Sequence, residues 1–380
     1  MRDAVIVEAV RTPVGKRNGA YKDIHPVDLS AHMLQALVER TGIDPAVVDD
    51  VVWGCVGQVG EQAMNVGRNA VLGAGWPESV PATSVDRQCG SSQQAVHFAA
   101  AGVISGQYDV AVGGGVESMT RIPMGSSLGK DVGYPFGPMM LERYDGKLVN
   151  QGIGAEMIAE RWGFSRQQVD EFSLQSHEKA AKAIDSGAFQ KQYAIVPGTG
   201  LEVDEGVRRG GTLEKMGELK PAFKEDGVIT AGNSSQISDG SGALLITTSE
   251  KAAELGLKPL VRLHTFALAG DDPIIMLTAP IPATAKALKR SGLSIKDIGA
   301  FEINEAFATV PLAWLKETGA DEKVLNPLGG AIAIGHPLGG SGAVLMTRLV
   351  HHMVDNGIKY GLQSMCEGGG LSNATILELL

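Results

Sequence analysis

The sequence predicts an α/β fold around a buried parallel or mixed sheet, and three observations support this class. Strand-like segments alternate with amphipathic helical segments along much of the 380-residue chain. The strand segments are continuously apolar, as in 4–7, which is typical of strands covered on both faces. Glycine accounts for 50 residues and clusters in short runs, several of them directly after strands, which indicates tight turns and close backbone approach.

The first 118 residues follow this alternation. Cys89 comes after a short extended segment and a polar turn, and the apolar spacing that follows predicts that it lies on the first turn of a helix. A helix N-terminus favours a thiolate, so we expect a nucleophilic sulfur there; the alternative is a small buried hydrophobic residue. The predicted strands are 4–9, 51–54, 82–85 and 110–112, and the predicted helices begin near Pro26, Asn65 and Cys89.

Residues 119–248 differ from what precedes them. A Pro-Phe-Gly-Pro break at 135–138 comes before two amphipathic helices, predicted over 154–162 and 165–184, and a charged loop. We therefore predict three units: an N-terminal half over 1–118, an inserted loop domain over 119–248, and a C-terminal half over 249–380.

The C-terminal half returns to the first pattern. Its glycine run at 368–370 follows a strand, as the run at 113–115 does, so an internal duplication is expected. The turns that carry Cys89 and His336 would then meet across a pseudo-twofold axis; chance similarity between glycine-rich turns is the alternative. Strands are predicted at 260–263, at 300–303 and ending at 366, and helices over 283–293 and 305–316.

Composition limits the partners. A formal charge of −10 argues against nucleic acid, and the absence of an 18-residue apolar run argues against membrane insertion. Three scattered cysteines and the lack of a predicted signal peptide lead us to expect a cytoplasmic protein. No metal site is predicted.

Four polar residues lie at loops where predicted strands meet helices: Cys89, Asn304, His336 and Cys366. Each has a structural alternative. Asn304 could cap the following helix, His336 could brace a turn between Gly335 and Pro337, and Cys366 could be a buried residue at a strand end.

Taken in order, the motifs Cys89-Gly90-Ser91, 304–307 (Asn-Glu-Ala-Phe), 335–339 (Gly-His-Pro-Leu-Gly) and Cys366-x-Gly-Gly-Gly resemble those of the thiolase superfamily over nearly the whole chain. The resemblance implies a five-layered α/β/α/β/α fold of two duplicated halves with an inserted loop domain. It also implies a homodimer or homotetramer, no permanently bound cofactor, and acyl-CoA and coenzyme A as substrates. The implied reaction is thiolytic cleavage of a 3-ketoacyl-CoA, or the reverse condensation.

The resemblance also assigns roles. Cys89 would be the acyl-carrying nucleophile, His336 its base, Cys366 the second acid–base group, and Asn304 the holder of an oxyanion-binding water. Backbone N–H groups of Cys89 and Gly368 would form a second oxyanion hole. Substrate or CoA binding is expected at Ser235, Arg208 and Phe307.

Four positions depart from the family pattern, namely Asp86, Ser92, Gln236 and Glu367. We expect Glu367 to raise the pKa of Cys366 by its charge, and Asp86 and Ser92 to bear on substrate preference. Together with methionines at 139–140, these departures favour a degradative thiolase for bulky or steroid-type chains. The alternatives are an acetoacetyl-CoA-forming biosynthetic thiolase, a ketoacyl synthase and a non-catalytic acyl-CoA or lipid carrier.

Overall fold

A computed structural model describes residues 2–128 and 133–380. Its strands are β1 Val5–Arg11, β2 Gly15–Lys16, β3 Asp50–Gly54, β4 Ala82–Val85, β5 Val110–Ser118, β6 Ser238–Thr247, β7 Val261–Gly270, β8 Ala300–Ile303, β9 Tyr360–Glu367 and β10 Leu371–Leu379. Its helices are α1 Pro26–Thr41, α2 Val66–Gly73, α3 Ser91–Ser105, α4 Pro138–Arg143, α5 Gln151–Trp162, α6 Arg166–Asp185, α7 Leu213–Gly217, α8 Ser249–Glu254, α9 Pro280–Ser291, α10 Thr309–Thr318, α11 Ala331–Ile334 and α12 Ser341–Asn356.

The strand order demonstrates the predicted duplication. The N-terminal half runs β4-β3-β5-β6-β1, and the C-terminal half runs β8-β9-β10-β7. In each half a parallel pair, β3–β5 or β8–β9, is followed by antiparallel neighbours. The N-terminal half has a second parallel pair, β4–β3, at its edge. The halves meet where β1 pairs briefly with β7.

Two equivalent helices, α3 and α12, form the central layer. Helix α3 packs on β3 and β5, while α12 packs on β6 and β1 on one side and on β8 and β9 on the other. Helix α1 covers the outer face of the first half and α9 that of the second. Because both strand layers are covered on both faces, β5, β6 and β8 are buried along their whole length, as continuous apolarity predicts.

Helices α4 to α7 lie between β5 and β6 in the chain. The division at residues 118 and 248 stays a prediction, and β6, at the end of that segment, lies within the sheet between β5 and β1. No helix in the described part of the chain is long and apolar enough to cross a membrane.

Among the helix starts that differ from the prediction, two concern site residues. Helix α3 begins at Ser91 with Gly90 as its N-cap, so Cys89 lies just before the helix rather than on its first turn. Helix α10 begins at Thr309 instead of 305, and Ala308 is its N-cap. Asn304 therefore does not cap this helix, and its side chain is free for other contacts.

Candidate active site

Asn304 joins two of the other predicted site residues. Its Nδ2 lies 3.5 Å from Nε2 of His336 and 3.5 Å from Sγ of Cys366. Asn304 follows the end of β8, Cys366 lies near the end of β9, and His336 precedes α12. All three side chains are buried. The structure thus brings together residues from three separate segments of the chain, at strand ends and at the start of a helix.

Ser341 determines which nitrogen of His336 carries the proton. The Ser341 hydroxyl donates to the carbonyl of Pro337 at 2.9 Å and also lies 2.6 Å from Nδ1 of His336. With its one proton directed to Pro337, the hydroxyl accepts from the histidine, which assigns the proton of the neutral imidazole to Nδ1. Nε2 is left with a free lone pair toward Asn304, and burial lowers the pKa of His336 to about 4. A neutral imidazole in this tautomer can accept a proton at Nε2.

The surroundings of Cys89 favour the thiol over the thiolate that the sequence predicts. Burial raises the pKa of its thiol, and the nearby charges of Cys366 and Glu367 raise it further. The backbone N–H groups of Cys89 and Gly368 act in the opposite direction, which places both N–H groups close to the sulfur. Since desolvation outweighs the helix N-terminus, this thiol needs a base to become a nucleophile.

Cys366 also has a raised pKa, about 11, and burial is the main cause. The charge of Glu367 contributes in the same direction, which confirms the direction predicted from the sequence. Glu367 itself is fully buried, and among the described residues its carboxylate oxygens have no hydrogen-bond partner. Burial raises the pKa of this carboxyl to about 8.

The predicted CoA-binding residues fall into two groups. The segment that contains Ser235 lies against the segment after Asn304. Ser235 N donates to Ala306 O at 2.9 Å, and Ser234 forms an isolated antiparallel β-bridge with Phe307. Ser235 and Phe307 therefore lie side by side near the site. Arg208 is exposed and lines a separate cavity of about 300 Å³, together with His177, Lys182 and Arg209.

Three of the four residues that depart from the family pattern form hydrogen bonds from their side chains to the backbone. Asp86 accepts from Gln88 N at 2.7 Å, and Gln88 has a φ of 47°. Ser92 accepts from Ala343 N at 2.8 Å, at the start of α12. Gln236 donates to Ile332 O and Ala333 O, in the short helix before His336. Two of the three thus brace the chain around His336.

Sequence reasoning missed several residues of the site. Phe223 packs edge-on against Phe307 at 5.9 Å between ring centroids, and no short motif marks it. Ser341 lies within the Gly-His-Pro motif region, where its position five residues after His336 was the available signal. Glu117 follows the first glycine run and accepts hydrogen bonds from four N–H groups.

Comparison with known families agrees with the fold and the site. Residues 4–250 match the thiolase N-terminal domain and residues 257–379 match the thiolase C-terminal domain. The chain therefore belongs to the thiolase family, and it is an acyltransferase enzyme. This assignment decides against the ketoacyl synthase and carrier alternatives.

Individual relatives show which kinds of thiolase the chain is similar to. The chain is 48% identical to the steroid 3-ketoacyl-CoA thiolase FadA6 of Mycobacterium tuberculosis, over 100% of this chain and 95% of that protein. It is 43% identical to a 3-ketoacyl-CoA thiolase of Pseudoalteromonas translucida, over 100% and 99%. A crystal structure of the Bacillus anthracis acetyl-CoA acetyltransferase superposes with a TM-score of 0.90 at 38% identity, over 100% and 99% of the two chains.

Proposed function

We propose that this protein cleaves a 3-ketoacyl-CoA with coenzyme A, giving acetyl-CoA and a shortened acyl-CoA, as a step of β-oxidation. The observation that best supports this function is the position of the Asn304 amide. Its Nδ2 lies 3.5 Å from Nε2 of His336 and 3.5 Å from Sγ of Cys366. A reaction that makes and protonates an enolate beside a covalent acyl carrier needs a base, an acid and a polar anchor at one place.

The first half-reaction forms the acyl-enzyme. Nε2 of His336 takes the Cys89 proton, and the sulfur attacks the 3-keto carbon. Breaking the C2–C3 bond leaves the acyl group on Cys89 and releases the acetyl-CoA enolate, whose C2 takes the proton of Cys366. His336 and a water held by Asn304 stabilise the enolate oxygen.

The second half-reaction restores the enzyme. The Cys366 thiolate takes the proton of incoming CoA, and the CoA sulfur attacks the acyl carbon. N–H groups of Cys89 and Gly368 stabilise the oxyanion, an interaction supported by their position beside the Cys89 sulfur. When the intermediate collapses, the acyl-CoA leaves and Cys89 regains its proton from His336.

Coenzyme A is a substrate here, and we propose no permanently bound cofactor. Ser235 and Phe307 would lie along the pantetheine arm, and Arg208 would meet the phosphates. The cavity beside Arg208 supports this, since Lys182 and His177 also line it and Gly232 connects it to the Ser235 segment. Glu178 lines it too, and there Arg209 is paired with Asp185.

The substrate class is a bulky or steroid-type 3-ketoacyl-CoA, which is supported by 48% identity to a protein named for steroid substrates. Steady-state thiolysis of a panel from acetoacetyl-CoA to long-chain and ring-bearing 3-ketoacyl-CoAs tests it. We expect the highest kcat/KM on the larger substrates. Activity confined to acetoacetyl-CoA would instead support the biosynthetic function, which the likeness to an acetyl-CoA acetyltransferase favours.

We further propose a cytoplasmic homodimer or homotetramer. Within the described residues, strand β4 pairs only with β3 and leaves one edge of the sheet open. Met64, Leu72 and Phe98 expose large apolar side chains nearby. Light scattering coupled to gel filtration gives the subunit number; a monomer at micromolar concentration would contradict the proposal.

A further inference from the structure

Cys89 and His336 come from different halves of the fold, so their relative position depends on contacts between the halves. Ser92 lies three residues after Cys89, and Gly339 lies three residues after His336. Ser92 N donates to Gly339 O at 3.1 Å, and Ala343 N donates to Ser92 Oγ at 2.8 Å. These bonds connect the first turn of α3 to the loop and helix that follow His336.

Glu117, at the end of β5, holds the Gly339 side of this connection. One carboxylate oxygen accepts from Gly339 N at 2.8 Å and from Val56 N at 2.9 Å. The other accepts from Gly57 N at 3.0 Å and from Gln62 Nε2 at 2.8 Å. Every partner donates, which favours the ionised carboxylate and opposes the rise in the pKa of Glu117 that burial causes.

The space around Gly339 leaves this loop little freedom. A Cβ at this position would lie 2.6 Å from Cα of Cys55 and 2.8 Å from Oε2 of Glu117. Glu117 is 2% exposed, so its bonds are not exchanged with bulk water. The buried carboxylate therefore connects the loop after β3 to the loop after His336 by hydrogen bonds.

We propose that Glu117 is a positioning residue for the reaction, which sets the distance between His336 and Cys89 by holding Gly339 against the first turn of α3. The inference rests on the proposed function, in which His336 deprotonates Cys89. Glu117 touches neither reacting atom. Its effect passes through the backbone of Gly339 and Ser92.

The test is Glu117→Asp, which keeps the negative charge and withdraws the carboxylate by one methylene. We expect kcat for thiolysis to fall by about tenfold or more, with KM for CoA within about twofold, because a displaced base slows only the chemical steps. The apparent pKa of the acid limb of the kcat–pH profile should also increase. A less firmly held His336 loop admits water, and water reduces the desolvation that lowers the pKa of the imidazole.

Asp49→Asn is the matched control, because Asp49 accepts from Asp109 N and Val110 N at the opposite end of β5. It should leave kcat and the acid limb unchanged. A folded Glu117→Asp enzyme with unchanged kcat and acid limb would overturn the proposal. If Glu117→Asp does not fold, Ser92→Ala is the second test, because it removes the hydrogen bond from Ala343 N in the same connection. A lower kcat together with a higher apparent pKa of the acid limb supports the proposal. Wild-type values of both overturn it.

These outcomes are distinguishable from failure of the proposed function. If the wild-type enzyme shows no thiolysis with any 3-ketoacyl-CoA, the reaction itself is wrong. If it is active and the Glu117 and Ser92 variants behave as wild type, only the positioning role is wrong.

Discussion

Replacing Glu367 with glutamine removes a buried carboxyl whose ionisation is costly in the folded protein. Burial moves the pKa of this group from an ordinary value of 4.5 to about 8, while Arg87 acts in the opposite direction. Between these values the folded protein keeps the proton and the unfolded chain loses it. The folded state therefore binds more protons, and the group's contribution to stability is present below pH 4.5 and is lost as pH rises toward 8.

The magnitude follows from this difference. Each pH unit in the window costs the wild type about 1.4 kcal/mol, and the loss flattens as the folded carboxyl itself ionises. Glutamine carries no charge at any pH. The unfolding free energy of Glu367→Gln relative to wild type should therefore increase by about 2 kcal/mol between pH 6 and pH 8.

Urea unfolding at fixed protein concentration, measured across this pH range, provides the assay. Glu78→Gln is the control, because Glu78 is exposed and its removal takes away the same charge without burial. The control should show little change with pH relative to wild type. A Glu367→Gln difference that stays constant from pH 6 to pH 8 would refute the reasoning.

Two further predictions concern the site. Ser341→Ala removes the acceptor that fixes the His336 tautomer, so kcat should fall by about tenfold or more while KM for CoA holds, as steady-state kinetics will measure; an unchanged kcat would contradict the assigned tautomer. Arg208→Ala should raise KM for CoA by about fivefold with kcat unchanged, because an exposed charge–phosphate contact is worth about 1 kcal/mol. Arg209→Ala is its control, since that guanidinium is engaged by Asp185, and equal effects of the two variants would contradict the role given to Arg208.

Much of the fold could be predicted because its strands are buried on both faces and so carry a local signal. Strand β7 was predicted only over 260–263, whereas it extends from Val261 to Gly270 with partly exposed positions among buried ones. A half-exposed strand mixes polar and apolar residues, which hides its length. The start of α10 was misplaced because Asn304 is a common N-cap residue type and here has a different partner.

The site was predictable where a short motif marks it and hidden where distant segments meet. Cys89, Asn304, His336 and Cys366 each lie in such a motif. The pKa of Cys89 could not be read from the sequence, because desolvation depends on everything packed around the sulfur. The bonds of Glu117 join residues up to 222 positions apart in the chain, and no local pattern encodes such a pairing.

The most direct test of the account is intact-protein mass spectrometry after mixing with a 3-ketoacyl-CoA in the absence of free CoA. The wild type should gain the mass of the shortened acyl group, bound at Cys89. Cys55→Ala, which changes a buried cysteine with no assigned role, should gain the same adduct, and Cys89→Ala should not. Full thiolysis by Cys89→Ala, or an adduct on another residue that CoA discharges, would contradict the mechanism.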